Sequence, residues 1–428
     1  MRRYESYKDS GVEWLGEVPS HWGLTIGMNV FRENKRDNKG MKEKTVLSLS
    51  YGQIIIKPEE KLVGLVPESF ETYQIVEPND IIIRCTDLQN DQTSLRTGLA
   101  KDKGIITSAY LNLKVINNYS AKFLHYYLHT LDITKVLYKF GSGLRQNLSF
   151  LDFKRLPIID IPLSEQQKIA QFIDDKTAKI DQAVDLAEKQ IALLKEHKQI
   201  LIQNTVTRGL NPDVPLKDSG VEWIGQVPEH WEVKKITHIF PNIGSGTTPN
   251  SSDPSFYEGN INWLQTGDLT DGYIYKTSKT ITHKALQAYS TLKIYPKNSL
   301  VIAMYGATIG KVGLLQIETT TNQACCVLST ALNIEMKYVF YLFQGIKESL
   351  VAMSYGGGQP NISQEKIKSL KLPFPNASEQ EQIADYLDKQ TAKIDQAIAL
   401  KTAHIEKLKE YKSVLIDYAV TGKVRVSV

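Results

Sequence analysis

The chain has 428 residues, enough for two to four domains that each bury a core, and its 42% hydrophobic and 23% charged content is that of an ordinary globular protein. With 51 basic against 47 acidic residues the net charge is only +4, so composition alone does not single out a nucleic-acid binder. There is no apolar run of about 18 residues and no signal-peptide core, and Cys85, Cys325 and Cys326 form no C-x-x-C pair. These features argue against a membrane span, a disulfide framework or a zinc finger, and for a soluble protein of the reducing cytoplasm.

The chain opens on KDSGVEWLGEVPSHW (Lys8 to Trp22), which returns as KDSGVEWIGQVPEHW (Lys217 to Trp231) at an offset of 217 − 8 = 209. Trp14, Trp22, Trp223 and Trp231 predict that each opening motif is pinned to a core by large buried rings. Next come β-branched runs bounded by Gly, Pro, Asn or Asp: Thr45–Ser50, Gln53–Ile56, Asp80–Arg84 and Leu111–Ile116 read as strands. A helical run follows Ser120, a candidate N-cap, and then come the loop FGSGLRQN and a short helix that Ser149 and Asp152 cap as a box. A long helix is predicted from about Ser164 to Thr207. Pro212 and Pro215 separate it from the second half.

The second half has the same order. Asn260–Leu264, Tyr273–Tyr275, Ser299–Met304 and Ala324–Leu328 read as strands. The helix MKYVFYLFQGIKESLVAM, the loop YGGGQPNIS and QEKIKSLKL follow, and a second long helix starts at Ser378. Its run SEQEQIADYLDKQTAKIDQAIAL repeats SEQQKIAQFIDDKTAKIDQAVD at an offset of 379 − 165 = 214, half the chain, far too long a period for a solenoid. The expected fold is therefore α+β: two pseudo-repeated mixed globular domains and two long helices. The boundaries are 1–155, 156–210, 211–371 and 372–428.

Both long helices carry heptads. One seam runs through Ile173, Ile180, Val184, Ile191 and Leu194, and the other through Leu387, Ile394, Ile398, Ile405 and Leu408, with Lys198, Lys401 and Lys412 at polar seam positions. A helix this long spans roughly 60 Å, and one narrow apolar seam does not sustain it alone in water. The two copies pairing with each other is the economical expectation. Connectivity leaves either orientation open.

Catalytic signatures are sparse. Tyr305–Lys311 (YGATIGK) has one residue too few between its glycines for a phosphate loop, and Val312 stands where a magnesium-binding Ser or Thr belongs. No methyltransferase N/D-P-P-Y/F tetrapeptide and no nuclease pattern is present. His125 and His129 are four apart on a helix, but lack a third ligand and a counterpart in the second half. The Gly-, Asn- and Gln-rich loops are more telling: GSGTTP (Gly244–Pro249), TTTNQA (Thr319–Ala324), GGGQPN (Gly356–Asn361), IIIRCTDLQ (Ile81–Gln89) and GSGLRQN (Gly141–Asn147). Arg pairs with guanine, Asn and Gln with adenine, and glycine admits a close phosphate. Ordinary turns have the same composition. The basic stretch Arg32–Lys44 reads either as a solvated loop or as a phosphate contact.

The opening motif KDSGVEWLGEVPSHW, GGGQPNISQEKIKSLKLPFP, the SEQEQIADYLD run and the closing KEYKSVLIDYAVTGKV together resemble the specificity (S) subunit of type I restriction-modification systems, over nearly the whole chain. The resemblance implies two target-recognition domains, each reading half of a bipartite, asymmetric site on double-stranded DNA. It implies that the long helices form an antiparallel coiled coil setting the half-site distance. It also implies that this chain is non-catalytic and binds no cofactor. Two methyltransferase (M) subunits would use S-adenosylmethionine and two restriction (R) subunits ATP and Mg, with no membrane involved. DNA contact is carried onto Arg84, Arg145, Gln146 and Asn147 in the first half. In the second it is carried onto Tyr305, Thr308, Lys311, Gln323, Gly357, Gln359 and Asn361. The first half shows no equivalent of YGATIGK. A coiled-coil adaptor without sequence-specific DNA binding is the alternative; a stand-alone DNA-modifying enzyme lacks the motifs it needs.

Overall fold

The computed structural model describes residues 2–58, 60, 69–91, 95–140, 147–329, 331, 333–354 and 361–426. They form two compact units: Met1–Ala187 with Ala403–Val428, and Glu188–Thr402. Each unit is thus a composite, containing the start of one long helix and the end of the other.

In unit 1 the opening motif is a hairpin, Tyr7–Asp9 against Glu17–Pro19. An antiparallel sheet follows in the order Phe31–Glu33, Leu111–Val115, Ile81–Ile83, Thr97–Leu99. A separate ribbon, Leu47–Ser50 against Gln53–Ile56, lies beside it. Helix α1 (Ala121–Ile133) starts where the Ser120 side chain accepts from the Phe123 amide, and α2 (Phe150–Arg155) carries the Ser149/Asp152 capping box. The strand Pro157–Asp160 pairs with Gly23–Ile26 and leads into α3 (Leu163–Arg208). Trp22, Phe31, Phe123, Tyr127 and Phe153 fill the core together with Ile169, Ile173, Ile416 and Val420 from the two long helices.

Unit 2 repeats the plan. Its sheet runs Asn242–Gly244, Cys325–Ser329, Leu300–Ala303, Val312–Leu315, the same antiparallel order, with Gly272–Ile274 added in parallel at the edge. Its helices are α4 (His283–Ala288), α5 (Met336–Gly345), α6 (Lys347–Ala352), α7 (Gln364–Ser369) and α8 (Ala377–Val420). The single helix expected over Met336–Met353 is two, broken after Gly345. A Cβ there would lie 2.7 Å from Val206 Cγ2, so α5 approaches α3 as only glycine permits.

The long helices pair with each other and run antiparallel. Within unit 2, Lys198 meets Asp395 at 2.7 Å and Gln190 accepts from Lys401, so α3 ascends as α8 descends. Within unit 1, Lys412 meets Asp181 at 2.7 Å, while Ile169 and Ile173 share a cluster with Ile416 and Val420. The polar seam lysines therefore each find a partner on the opposite helix, an arrangement suited to fixing register. Ile173, Ile180, Leu387, Ile394 and Ile405 are buried; Val184, Ile191, Leu194, Ile398 and Leu408 are half-buried. Among the described residues no helix is long and apolar enough to cross a membrane.

Candidate nucleic-acid interface

Each unit is anchored in the same way. The Trp22 indole donates to Glu165 at 3.0 Å and the Trp231 indole to Glu379 at 3.0 Å, while His21 and His230 reach the same carboxylates. Both glutamates lie in the first turn of a long helix, where a carboxylate also favours the helix dipole. Lys122 and Tyr126 on α1 bond Asp174, as Lys337 and Tyr341 on α5 bond Asp388. Burial pushes the Asp388 carboxyl up, but donors from Tyr341, Lys337 and Tyr273 outweigh it and hold the group below the usual range. These anchors orient the sheet and its loops against the helices.

In unit 2 the strand Leu300–Ala303 is followed by Met304, whose amide donates to Ala324 and whose carbonyl accepts from Ile362 at 2.9 Å. Tyr305 and Asn361 bridge directly. This brings Tyr305, Gln323 and Asn361, all exposed, to one sheet end, next to the turn that holds Thr308 and Lys311. Thr308 donates to the Tyr305 carbonyl, and Gly306 and Gly310 supply left-handed backbone at φ 68° and 75°. The turn opens onto the strand Val312–Leu315 rather than a helix, so it lacks the helix N-terminus of a phosphate loop. The GSGTTP loop joins the cluster. Thr248 donates to Gln323 at 2.7 Å, and the Gly246 amide donates to Thr321, whose carbonyl would collide with any Cβ at Gly246.

The same stitch recurs in unit 1: Leu148 donates to the Cys85 carbonyl at 2.8 Å, as Ile362 does to Met304. The Thr86–Asp91 turn follows Cys85 where YGATIGK follows Met304, and the Arg84 amide donates to the Arg96 carbonyl as the Ala303 amide does to the Lys311 carbonyl. Asn147 accepts from the Asp87 amide at 2.9 Å, and Arg84 pairs with Asp91 at 3.1 Å. Buried Arg96 clamps the turn from beneath, donating to the carbonyls of Arg84, Thr86, Asp87 and Asp91 and to the Tyr138 hydroxyl. Arg145, Gln146, Gly357 and Gln359 lie outside the described residues.

Other candidates take structural places. Arg36, in the basic stretch, pairs with Asp80 at 2.6 Å and Glu77 at 2.9 Å, and Asn38 is buried on the Glu43 and Phe70 carbonyls. The rings of His125 and His129 stack 6.2 Å apart, and among the described residues no group of three His, Cys, Asp or Glu could hold a metal. Burial pushes the Cys85 and Cys326 thiols up to about 12, which leaves them unreactive at neutral pH. Sequence reasoning missed Arg96, Glu165 and Glu379. The glutamates sat in the repeated SEQ tripeptides, a signal that was available, whereas the Arg96 clamp is tertiary and left none.

Each unit thus sets a like-built loop edge against paired antiparallel segments of the two long helices. Residues 228–410 match the family described as "Type I restriction modification DNA specificity domain". A Methanocaldococcus jannaschii protein provisionally named as the MjaX type I specificity subunit is 24% identical over 96% of both chains. The type I restriction enzyme MjaVIII specificity subunit of the same organism is 26% identical, covering 82% of this chain and 80% of its own. Among solved structures, a chain from a type I R-M system complex shares the fold at TM-score 0.72 and 15% identity, over 95% of this chain and 99% of that one. Residues 228–410 thus match the type I DNA specificity domain, and along nearly its whole length the chain is similar to type I specificity subunits.

Proposed function

We propose that this chain is the non-catalytic sequence-specificity subunit of a type I complex, reading a bipartite, asymmetric site on double-stranded DNA. Residues 1–155 and 211–371 each take one half-site; residues 156–210 and 372–428 are the spacer helices. Arg84, Arg145, Gln146 and Asn147 contact the first half-site, and Tyr305, Thr308, Lys311, Gln323, Gly357, Gln359 and Asn361 the second. The observation that carries this reading is the repeated stitch, Leu148 to Cys85 and Ile362 to Met304, which presents different side chains on the same scaffold. That is what two unlike half-sites require.

Two M subunits bearing S-adenosylmethionine would methylate adenine under its direction, and two R subunits using ATP and Mg would cleave, all in the cytoplasm. Exposed apolar side chains on the long helices suit a protein partner: Leu193 and Ile200 in unit 2, and Tyr411, Val414 and Tyr418 in unit 1 at i, i+3, i+7 spacing. The test is to exchange Lys234–Lys371 for the corresponding segment of another family member and map methylated adenines. One half-site is expected to change completely while the other stays. Change in both, or in neither, sinks the reading.

A further inference from the structure

The ribbon Leu47–Ser50/Gln53–Ile56 is closed by a two-residue turn, Tyr51-Gly52, since Ser50 pairs with Gln53. Both turn residues are left-handed, at φ 46° and 76°, as a type I′ hairpin demands. Asparagine or aspartate is the residue that suits the first of these positions. A tyrosine there is strained, because a bulky side chain crowds the following carbonyl. The strain is not offset by burial: Tyr51 is 89% exposed, the largest exposure among the exposed large hydrophobics, and Ile55 and Ile56 further along the ribbon are also exposed. A strained, solvent-facing aromatic on a well-held hairpin is the kind of outlier from which function is inferred.

Its position supplies the partner. A Cβ on Gly52 would lie 3.3 Å from Leu95, the neighbour of the Arg96 clamp, and the Arg96 carbonyl accepts from the Arg84 amide at 2.8 Å. The hairpin tip therefore stands at the same sheet end as Arg84 and Asn147. The ribbon is fixed there by buried Leu47 and Ile54 and by the hydrogen bond from the Ile105 amide to the Thr45 carbonyl. The major groove, about 12 Å wide, admits a two-stranded β-ribbon. We propose that this ribbon enters the major groove of the first half-site and that Tyr51 is a specificity-determining contact there, its ring packing on a base edge such as a thymine methyl. The inference rests on the reading that unit 1 binds a half-site.

The test uses the full chain assembled with its methyltransferase partner, on a duplex whose site has been defined by mapping methylated adenines. Tyr51→Asn gives the turn the residue it prefers, so thermal stability should hold or rise. Affinity for the cognate duplex should fall roughly tenfold, and base changes in the first half-site should then cost the variant far less than they cost the wild type. Tyr51→Phe should retain binding. Affinity within twofold of wild type with half-site discrimination intact overturns the proposal. So does failure of the stable variant to assemble with the methyltransferase, which would make the tip a protein contact. If the wild-type assembly itself does not distinguish its site from a scrambled duplex, the half-site reading fails and not this residue alone.

Discussion

The two units share a frame and differ at the edge it presents. Trp to Glu, Lys and Tyr to Asp, and the amide after Asn147 or Asn361 to the central strand recur with nearly the same distances. Gln166 and Gln380 repeat too, each holding the helix-capping amide ahead (Ser120, Glu335) and a carbonyl behind (Ile161, Pro375). Around this frame, unit 1 adds a ribbon and props its edge turn from beneath with a buried arginine. Unit 2 adds a parallel edge strand, builds its turn on left-handed glycines and ties the two neighbouring loops by the Thr248–Gln323 bond. Anchors that set geometry are repeated, whereas elements that face outward diverge. Recognition can therefore change without disturbing the mount.

If that division is right, each unit can be damaged independently. Arg96→Met keeps length and apolar stem but strips every donor, leaving four carbonyls and the Tyr138 hydroxyl without the guanidinium. The expected cost is about 3 kcal/mol or more in unit 1. Hydrogen exchange should rise over 84–91 and first-half-site binding should collapse, with peptides of unit 2 unchanged. Equal deprotection in both units would refute their independence.

Acid should separate them next. Matching Lys122 to Lys337 and Tyr126 to Tyr341 sets His125 and His129 opposite Phe340 and Gln344, so only unit 1 has this pair. His125 Nε2 and His129 Nδ1 are buried with no hydrogen-bond partner. Burial lowers both to about 4, helped at His125 by His129 and at His129 by Lys412. Because the folded values lie below the unfolded 6.5, the unfolded chain binds protons first. Stability is full above about pH 6.5 and is lost as pH falls towards 4. The expected loss is about 1 kcal/mol per histidine between pH 7 and 5.5, confined to unit 1. His125→Phe with His129→Gln should flatten the profile; an unchanged profile would place the acid sensitivity elsewhere.

Legibility in the sequence follows the same line. Local signals were readable: the opening motifs, both long helices, the Ser149/Asp152 box and the inner strands Ile81–Ile83, Leu111–Val115, Leu300–Ala303 and Cys325–Ser329, whereas the short strands Phe31–Glu33, Thr97–Leu99, Asn242–Gly244 and Val312–Leu315 were not. The direction of α3 against α8 was not readable, because a heptad seam is satisfied by either orientation; it is the Lys198–Asp395 and Lys412–Asp181 pairs that show it. Nor was the like placement of Thr86–Asp91 and the turn after Met304, since the shared main-chain hydrogen bonds flank these turns and any side chains can make them. The close approach of Gly345 to Val206 joins residues far apart in sequence and left no local signal. At the candidate interface, Tyr305, Gln323 and Asn361 were reached through the family resemblance of their loops, and the structure gathers them. The residues that do the gathering, Met304, Ala324 and Thr248, have no type-based signature.

Thr248 offers the smallest and most selective test of that last point. Its hydroxyl donates to Gln323 Oε1 at 2.7 Å, and both residues are exposed, so the bond contributes little to folding. Its effect is on orientation. With the carbonyl oxygen engaged, the Gln323 amide is turned outward as a donor; released, the side chain is free to sample other rotamers and present either group. Thr248→Val keeps the β-branched shape and removes the donor. Stability should stay within about 0.5 kcal/mol, while affinity for the second half-site should drop only a few-fold. Discrimination should relax at one base pair, because glutamine then offers donor or acceptor indifferently. Relaxation at the first half-site instead would contradict the assignment of this edge to the second half-site. Loss of stability without relaxation would make Thr248 part of the frame rather than of the reading surface.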